Sequence, residues 1–300
     1  MQKKIEGNII LGHKYAESLR EDAKNQTDKL KQQGITPCLA VILVGSDPAS
    51  KIYVTNKQKY AIECGMISLE IELPRQTTQT DLLSRINDLN SNSTVHGILV
   101  QMPLPKHIDP LSVISAIKPC KDVDGFHPIN MGKLLTNSVD QNSLLPCTPL
   151  GCMHIIESIV PTIKGQNAVI IGSSNIVGKP LAAMLINKGA TVSVLNSSTK
   201  NLTYYTKNAD ILITACGVPN LIQSTDITNP IILDVGINRL DNGKLTGDCN
   251  FIECIKKAKF ITPVPKGIGP MTIAMLLHNT IKATKICSLS QYPFPEMMNK

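Results

Sequence analysis

The sequence predicts an α/β protein with two domains, each built around a parallel β-sheet. Short apolar runs alternate with amphipathic stretches along most of the 300 residues, which is the pattern of βα units. Most of these runs are continuously apolar, as expected of strands buried on both faces of a parallel sheet. The pattern lapses into Pro, Gly, Asn and Ser between Lys118 and Pro149, which marks a junction between two domains.

The predicted strands follow from the apolar runs. The run 67–73 alternates apolar with polar residues, which indicates one wetter face. The full set of predicted strands is 39–44, 67–73, 97–101, 168–171, 191–195, 211–215 and 231–235. A helix over 270–284 is predicted after the extended, proline-rich segment that precedes it.

Composition and charge exclude several classes of protein. Apolar residues make up 42% and charged residues 18% of the chain, which excludes a disordered or collagen-like protein. Only 3% of the residues are aromatic, and the net charge of +7 is spread along the chain without a basic stripe. We therefore expect no nucleic-acid partner and interpret the charge as a solvated basic surface.

The cysteines and the apolar segments indicate the cellular compartment of the protein. The nine cysteines are scattered and form no CxxC motif, so we expect reduced core thiols and no metal site. The apolar run 38–44 is too short to cross a bilayer, and the N-terminus lacks the apolar segment of a signal peptide. The sequence thus predicts a cytoplasmic protein with no membrane partner.

A helix predicted over 49–63 carries the first candidate site residues. Asp47 supplies its N-cap, and Gly65 ends it. Tyr53 and Lys57 are four residues apart, so their side chains lie on one face.

The same helix is expected to bury one stripe of side chains. We expect Val54, Ala61 and Ile62 to form that stripe, and Lys57 to lie at the edge of a cleft. A solvated lysine on an exposed helix face is the alternative.

Gln101 and Asp124 are further candidates. Gln101 closes the strand 97–101 just before a proline-rich turn, so its amide lies at the carboxyl end of the strand. Asp124 lies in a turn-rich segment at the predicted domain junction. A glutamine that caps loop backbone and an aspartate that bonds its own turn are the structural alternatives.

A glycine turn opens the second half. The strand 168–171 runs into Gly172 and Gly178, and an amphipathic helix follows through about Asn187. A glycine at a strand end permits a tight turn, and the following helix N-terminus offers N–H groups to a diphosphate. The turn lacks the middle glycine of GxGxxG, so an ordinary βα turn remains the alternative.

The next strand ends where a dinucleotide-binding fold reads the adenosine ribose. That segment, 196–200, contains no Asp or Glu, which permits a ribose 2′-phosphate. Lys200 and the hydroxyls of Ser197 and Ser198 are available to hold it. Two more strand ends, 215–219 and 234–238, are expected at the same cleft.

Several long motifs, in a shared order, carry a family resemblance over nearly the whole chain. The sequence resembles the methylenetetrahydrofolate dehydrogenase / methenyltetrahydrofolate cyclohydrolase family. The matching segments are Tyr53-x-x-x-Lys57, 97–105, 121–126, 146–149, the glycine turn at Gly172 and 262–272.

The resemblance implies a bifunctional enzyme of one-carbon metabolism. It would oxidise 5,10-methylenetetrahydrofolate to the methenyl form with NADP and hydrolyse that product to 10-formyltetrahydrofolate. Lys57 would be the key catalytic residue, with Gln101 beside it. Tyr53 would stack on the folate, and Asp124 would bind the pterin. Further substrate contacts are implied for Val100, Pro265, Gly269 and Thr272.

The resemblance also implies the cofactor contacts and the domain arrangement. A folate-binding catalytic domain would comprise residues 1–147, with a C-terminal helix over about 272–300 packed back on it. A Rossmann-type NAD(P)-binding domain would comprise residues 148–271, and the enzyme would be a homodimer. The implied cofactor contacts are Gly172, Ser173, Ser174, Ile176, Val177, Gly178, Ser197 and Ile237.

The chain departs from the family pattern at several positions. Ser173 stands where many members carry Arg, and Asn196-Ser197 stands where others carry His-Ser or His-Arg. Both changes remove usual phosphate partners, so NAD is the alternative to NADP. Asn250 replaces a frequent Asp, and Lys266 replaces a common Gly. Lys266 would either pair with the folate glutamate tail or point to solvent.

Two other functions stay open at this stage. A dehydrogenase of small hydroxy acids would keep the Rossmann half but needs a His with a carboxylate partner, for which His127 is the candidate. A nucleotide-binding or basic scaffold protein would bind without turnover. An assay with methylenetetrahydrofolate and each nicotinamide cofactor separates the three.

Overall fold

A computed structural model of the chain describes residues 4–45 and 47–291. These residues form two compact units. The seven-stranded unit contains the chain up to Arg20, Met131–Ser138 and Pro146–Met275. The three-stranded unit contains Glu21–Asn130, Val139–Leu145 and the chain from Leu276 onward.

The strands are, in chain order, β1 Ile5–Glu6, β2 Ile9–Ile10, β3 Cys38–Val44, β4 Ile67–Leu73, β5 Gly97–Val100, β6 Asn167–Ile171, β7 Thr191–Leu195, β8 Ile211–Thr214, β9 Ile231–Asp234, β10 Asn238–Arg239, β11 Leu245–Thr246 and β12 Phe260–Ile261.

The helices are α1 Gly12–Gln32, α2 Pro48–Glu63, α3 Gln79–Ser91, α4 Pro110–Ala116, α5 Pro128–Leu135, α6 Cys147–Ile159, α7 Gly178–Asn187, α8 Leu202–Lys207, α9 Phe251–Cys254 and α10 Ile268–Gln291.

The three-stranded unit is built on a parallel sheet with the order β4-β3-β5. The central strand β3 is buried along its whole length, because its residues are apolar throughout. In the edge strand β4, Ile71 and Leu73 pack against the core. Glu70 and Glu72 are exposed, so the predicted wetter face is confirmed for the second half of the strand. In its first half the expectation is wrong, because Ile67 and Leu69 are exposed and Ser68 is half-buried.

The seven-stranded unit has the strand order β1-β2-β12-β9-β8-β6-β7. Neighbours from β2 through β12 to β7 are parallel, and the hairpin β1-β2 is antiparallel. Strand β6 pairs with β7 on one side and with β8 on the other. The chain order therefore reverses between β6 and β8, which is where open α/β sheets bind ligands.

The elements agree closely with the sequence prediction. Every predicted strand is present, with each end displaced by one residue at most. The helix α2 begins at Pro48, one residue earlier than predicted, and ends at Glu63 as expected. The helix α10 extends to Gln291, seven residues beyond the predicted end at 284, and begins two residues before Pro270. Proline is tolerated there because the first helical turn has no internal acceptor for its N–H.

One predicted core residue is wrong. Ile62 is 63% exposed, whereas Val54 and Ala61 are fully buried. Each helical residue advances by about 100° around the axis, so the step from Ala61 turns Ile62 out of the stripe.

The two units divide the chain differently from the expected domains at both ends. Residues up to Arg20 group with the seven-stranded unit, because β1 and β2 extend its sheet. The chain from Leu276 groups with the three-stranded unit. The domain limits 1–147 and 148–271 stay a prediction, and residues 292–300 of the expected C-terminal helix lie outside the described residues.

Two further features are the redox state of the cysteines and the apolar character of the helices. All nine cysteines lie in the described part of the chain and are thiols. Within residues 4–45 and 47–291, no helix combines the length and apolar character that crossing a membrane requires.

Asn279 on α10 provides a test of how this helix is held in the three-stranded unit. Its amide donates to Val123 O and to Leu145 O, both at 2.8 Å. Asn279→Ala should lower the free energy of unfolding by about 2 kcal/mol, because two buried carbonyls lose their donor. Chemical denaturation followed by circular dichroism measures this. The control is Asn25→Ala at an exposed position of α1, and an equal effect of both substitutions would contradict the prediction.

Candidate active site

Helix α2 positions the first site residues, and its start is fixed by the sequence. The Asp47 side chain accepts a hydrogen bond from Ser50 N at 2.8 Å, and Pro48 occupies the first turn. The chain leaves the helix at Gly65, whose φ of +79° suits glycine. The predicted cap and stop are therefore confirmed.

Lys57 points inward from this helix. Its side chain is buried, with 7% of the residue exposed, and Nζ donates to Gln101 Oε1 at 3.0 Å. The solvated lysine considered above is therefore wrong. A buried ammonium needs such a partner, because an unpaired charge away from water is strongly unfavourable.

Gln101 is held in the orientation that this contact requires. Its Nε2 donates to Met102 O at 2.7 Å, and its backbone N donates to Ile42 O at 2.8 Å. The amide nitrogen is thus committed to loop backbone, and the amide oxygen faces Lys57. The structural interpretation of Gln101, an amide that caps loop backbone, is confirmed. Its catalytic role stays a prediction.

Tyr53 lies one turn before Lys57 on the same helix face. The residue is half-buried, and burial raises the pKa of its phenol. The ring therefore stays neutral at physiological pH. A neutral aromatic face next to an ammonium is suited to a flat heterocyclic ligand.

Asp124 belongs to the same electrostatic environment. Burial raises the pKa of its carboxyl group, the Lys57 ammonium opposes that rise, and the Asp122 carboxylate adds to it. Lys57 is thus close enough to Asp124 for its charge to affect the pKa of that carboxyl group. The structure brings Tyr53, Lys57, Gln101 and Asp124 into one unit.

The structural alternative considered for Asp124, a carboxylate that bonds its own turn, describes Asp122 instead. Asp122 is only 1% exposed and accepts from Gly125 N at 3.1 Å, His127 N at 2.8 Å and Asn130 Nδ2 at 3.1 Å. It therefore fixes the turn that presents Asp124. The signal was present in the sequence, because an Asp three residues before a Gly is typical of a side chain that bonds its own turn.

The remaining substrate candidates divide between the units. Val100 ends β5 in the three-stranded unit and is buried. Pro265, Gly269 and Thr272 belong to the seven-stranded unit. Thr272 Oγ1 lies 2.9 Å from Thr148 Oγ1, and Pro265 is exposed.

Two residues that depart from the family pattern have distinct settings. Asn250 caps α9, where its side chain accepts from Glu253 N. Lys266 is exposed and has a φ of +79°, which is unusual for a residue with a side chain.

The glycine turn after β6 connects that strand to the start of α7 through closely packed backbone. A Cβ on Gly172 would overlap Ala215 O, and a Cβ on Gly178 would overlap Gly172 O, so both positions require glycine. The Ser174 hydroxyl accepts from Val177 N at 3.2 Å and shapes the turn. The helix α7 begins at Gly178, and its first two N–H groups donate to Ser174: Gly178 N to the hydroxyl at 3.4 Å and Lys179 N to the carbonyl at 3.0 Å.

The other predicted cofactor residues lie in the turns that follow β6, β7 and β9 of the seven-stranded unit. Ile176 and Ile237 are 43% and 42% exposed, so their apolar surfaces are available to a ligand. Ser173 is half-buried, and Ser197 is exposed in the turn that follows β7. The residues present therefore fit a dinucleotide. In the part of the chain that the structure describes, no group of three His, Cys, Asp or Glu side chains could hold a metal ion.

His127 does not have the setting that a hydroxy-acid dehydrogenase requires. Its Nδ1 accepts from Ile129 N at 3.1 Å, and burial lowers its pKa. The contact with Asp122 comes from its backbone N–H rather than from the ring.

Comparison with known proteins identifies relatives over most of the chain. The "Bifunctional protein FolD" of Campylobacter jejuni (strain RM1221) is 52% identical over 278 residues, covering 92% of this chain and 98% of that protein. The crystal structure of the C. jejuni methylenetetrahydrofolate dehydrogenase/cyclohydrolase FolD superposes with a TM-score of 0.90 at 50% identity, covering 92% of this chain and 98% of that one. The Trypanosoma brucei enzyme, complexed with NADP and an inhibitor, gives 0.89 at 34% identity, with 93% and 97% covered.

Two family models divide the sequence between them. Residues 10–124 match the catalytic domain of tetrahydrofolate dehydrogenase/cyclohydrolase, and residues 146–288 match its NAD(P)-binding domain. With both models matched in order and with relatives that agree over nearly their full length, the chain belongs to the tetrahydrofolate dehydrogenase/cyclohydrolase family.

Proposed function

We propose that this chain oxidises 5,10-methylenetetrahydrofolate to the 5,10-methenyl form with NADP, and hydrolyses that product to 10-formyltetrahydrofolate, with Lys57 at the catalytic centre. The chain is a bifunctional dehydrogenase and cyclohydrolase. The observation that carries the assignment of Lys57 is its buried ammonium 3.0 Å from Gln101 Oε1. Lysine is seldom buried unless its ammonium has a partner.

The oxidation makes modest demands on protein acid–base groups. Hydride leaves a carbon flanked by two nitrogens, whose lone pairs stabilise the resulting cation, and a bound nicotinamide supplies the acceptor. The protein's part is to position the substrate. Tyr53 offers a neutral ring face for this, and Asp124 offers acceptor oxygens for the N–H groups of a pterin. The contacts expected at Val100, Pro265, Gly269 and Thr272 stay predictions.

The hydrolysis needs a group that handles a proton. Water must lose a proton as it attacks the methenyl carbon. Lys57 in its neutral amine form is placed to accept that proton, directly as base or as a relay, and so becomes the ammonium. Gln101 keeps the Nζ of Lys57 in a single position, because its own orientation is fixed by Met102 O. The Asp124 carboxyl group is close enough to Lys57 for the lysine's charge to lower the pKa of Asp124.

The cofactor side fits a dinucleotide with a 2′-phosphate. The turn Gly172–Gly178 and the start of α7 are suited to the diphosphate. The segment after β7 carries no carboxylate, and Ser197 and Lys200 are exposed there. We therefore propose NADP, with NAD as the alternative because the usual arginine is replaced by Ser173.

We also propose that the enzyme works as a homodimer in the cytoplasm. The nine thiols suit a reducing compartment. Strand β4 is an edge of its sheet, and Ile67 and Leu69 on it are 47% and 37% exposed. Ile52 and Ile62 on α2, which packs on β4, are also exposed. A second copy of the chain would cover this apolar surface.

The catalytic role of Lys57 is tested by Lys57→Met, which keeps the length of the side chain and removes its charge. Cyclohydrolase turnover should fall by about 100-fold or more, as expected when a proton-transfer group is lost. The decay of methenyltetrahydrofolate absorbance measures it. The matched control is Lys59→Met at an exposed position of the same helix. Full cyclohydrolase turnover in Lys57→Met would exclude the role.

Cofactor choice is tested by comparing KM for NADP and for NAD. The wild-type enzyme should show the lower KM with NADP. Lys200→Gln should raise the KM for NADP by about fivefold, the worth of one exposed ionic contact, and leave the KM for NAD unchanged. Lys207→Gln, at another exposed lysine, serves as control. A lower wild-type KM for NAD would overturn the NADP assignment.

The dimer is tested by light scattering coupled to gel filtration. The wild-type protein should show about twice the chain mass of 32.6 kDa. Replacing both Ile67 and Leu69 with Lys should shift it toward the monomer, because two buried ammonium groups would have no partner. Ile252→Lys, at a 72% exposed apolar residue of α9, is the control. A monomeric wild-type protein would refute the proposal.

A further inference from the structure

Two buried carboxylates lie in the seven-stranded unit and take no part in the chemistry above. Asp234 is the last residue of β9, and Asp248 lies between β11 and α9. They are 3% and 0% exposed. Burying a carboxylate is energetically unfavourable unless it is hydrogen-bonded. The donors that each carboxylate accepts from therefore indicate its role.

Asp248 gathers the donors of one loop. Its Oδ2 accepts from Cys216 N at 2.8 Å, from Gly217 N at 3.2 Å and from Cys216 Sγ at 3.3 Å. Its Oδ1 accepts from Val218 N at 3.0 Å and from Asn238 Nδ2 at 2.9 Å. Three consecutive backbone N–H groups are thus fixed by one side chain.

The Cys216 thiol is protonated and donates a hydrogen bond to the Asp248 carboxylate. Burial and the Asp248 carboxylate raise the pKa of Cys216 to about 11. Cys216 therefore keeps its proton at neutral pH and is unsuited to be a nucleophile.

Asp234 holds Asp248 in place. Its Oδ1 accepts from Asp248 N at 3.0 Å and from Thr214 Oγ1 at 2.9 Å, and its Oδ2 accepts from Cys249 N at 2.9 Å. Its own backbone N donates to Thr262 Oγ1 at 2.8 Å. Burial raises the pKa of Asp234 to about 6, against the effect of these hydrogen bonds.

Glycines complete the packing of both carboxylates. A Cβ on Gly236 would overlap the Asp248 carboxylate, and a Cβ on Gly247 would overlap that of Asp234. Neither carboxylate therefore has space to move in that direction. The Asp248 side chain is thus held in one position, and its hydrogen bonds hold residues 216–218 in one conformation.

The loop that Asp248 fixes borders the ligand crevice. It follows β8 directly, and β8 is the neighbour of β6 across the point where the chain order reverses. Ala215 O, at the start of the loop, lies against the Cα of Gly172. Residues 216–218 therefore stand beside the glycine turn at the carboxyl ends of the strands.

We propose that Asp248 is a positioning residue for the nicotinamide cofactor. Its carboxylate holds the 216–218 loop and Asn238 in the conformation that binds the cofactor. This inference rests on the proposed function in taking the dinucleotide to bind beside the glycine turn. Asp248 acts through the loop. Its loss should weaken cofactor binding and oxidation, while the hydrolysis, which consumes no nicotinamide, should proceed.

The test uses the full-length enzyme and the variant Asp248→Asn. The amide has one acceptor oxygen, and its NH₂ group faces N–H donors in either orientation. The Kd for NADP and for NAD, measured by calorimetric titration, should rise by about tenfold or more. Cyclohydrolase turnover on methenyltetrahydrofolate, assayed without cofactor, should stay within about twofold of the wild-type value. Asp241→Asn, at an exposed acid in the same unit, controls for the change of charge.

A milder variant covers the case in which Asp248→Asn does not fold. Asn238→Ala removes one of the donors to Asp248 and should raise the cofactor Kd by about threefold with hydrolysis retained. An unchanged Kd in a folded Asp248→Asn enzyme would overturn the inference. So would a parallel fall of both activities and of the melting temperature, which would show a role in folding alone. If the wild-type enzyme bound neither cofactor, the proposed function itself would fail.

Discussion

The buried ammonium of Lys57 is the constraint on which the candidate site depends. An amine of this kind is stable out of water only where a fixed acceptor meets it, and Gln101 Oε1 does so at 3.0 Å. Gln101 can serve because Met102 O takes its amide nitrogen and so decides which way the side chain faces. The strand end, the turn after it and helix α2 are thereby linked through a single charge. Asp124, whose carboxyl group responds electrostatically to that charge, completes the arrangement.

The protein uses the same physical device in both units to shape its site loops. In the three-stranded unit the buried Asp122 collects backbone N–H groups from the turn that carries Asp124. In the seven-stranded unit the buried Asp248 collects those of the loop after β8. A carboxylate that accepts several backbone donors fixes a loop more rigidly than side-chain packing would, because each bond is charge-assisted. Most of the buried acids are thus structural supports, which leaves the proton chemistry to few groups.

The sequence predicts the sheets well because their signal is local. A run such as Cys38–Val44 is apolar at every position, and burial on both faces follows from that alone. Helix α1 was not predicted, although its buried residues Ala16, Ala23 and Leu30 recur at the seven-residue spacing of one helix face. The segment is mostly polar and contains no continuous apolar run, so this periodicity is its main signal. Asp248 lay beyond sequence reasoning for another reason: its partners are at Cys216 and Asn238, and only the folded sheet brings these segments together. Lys57 and Gln101 are also distant in sequence, and the family resemblance, rather than periodicity, joined them.

In the loop that carries Pro265, backbone packing allows a charged Lys266 at a position where the family commonly has glycine. Lys266 adopts a φ of +79°, and its carbonyl accepts from His13 N at 3.0 Å. A side chain on Gly12 would overlap the Gly267 carbonyl, so the start of α1 packs directly against this backbone. The conformation is therefore imposed by α1 and would be the same with glycine at position 266. Lysine accepts it at a cost of about 1 kcal/mol of backbone strain, which the surrounding contacts offset. Because the shape of the loop does not depend on that side chain, a positive charge can be added beside Pro265 without rebuilding the loop.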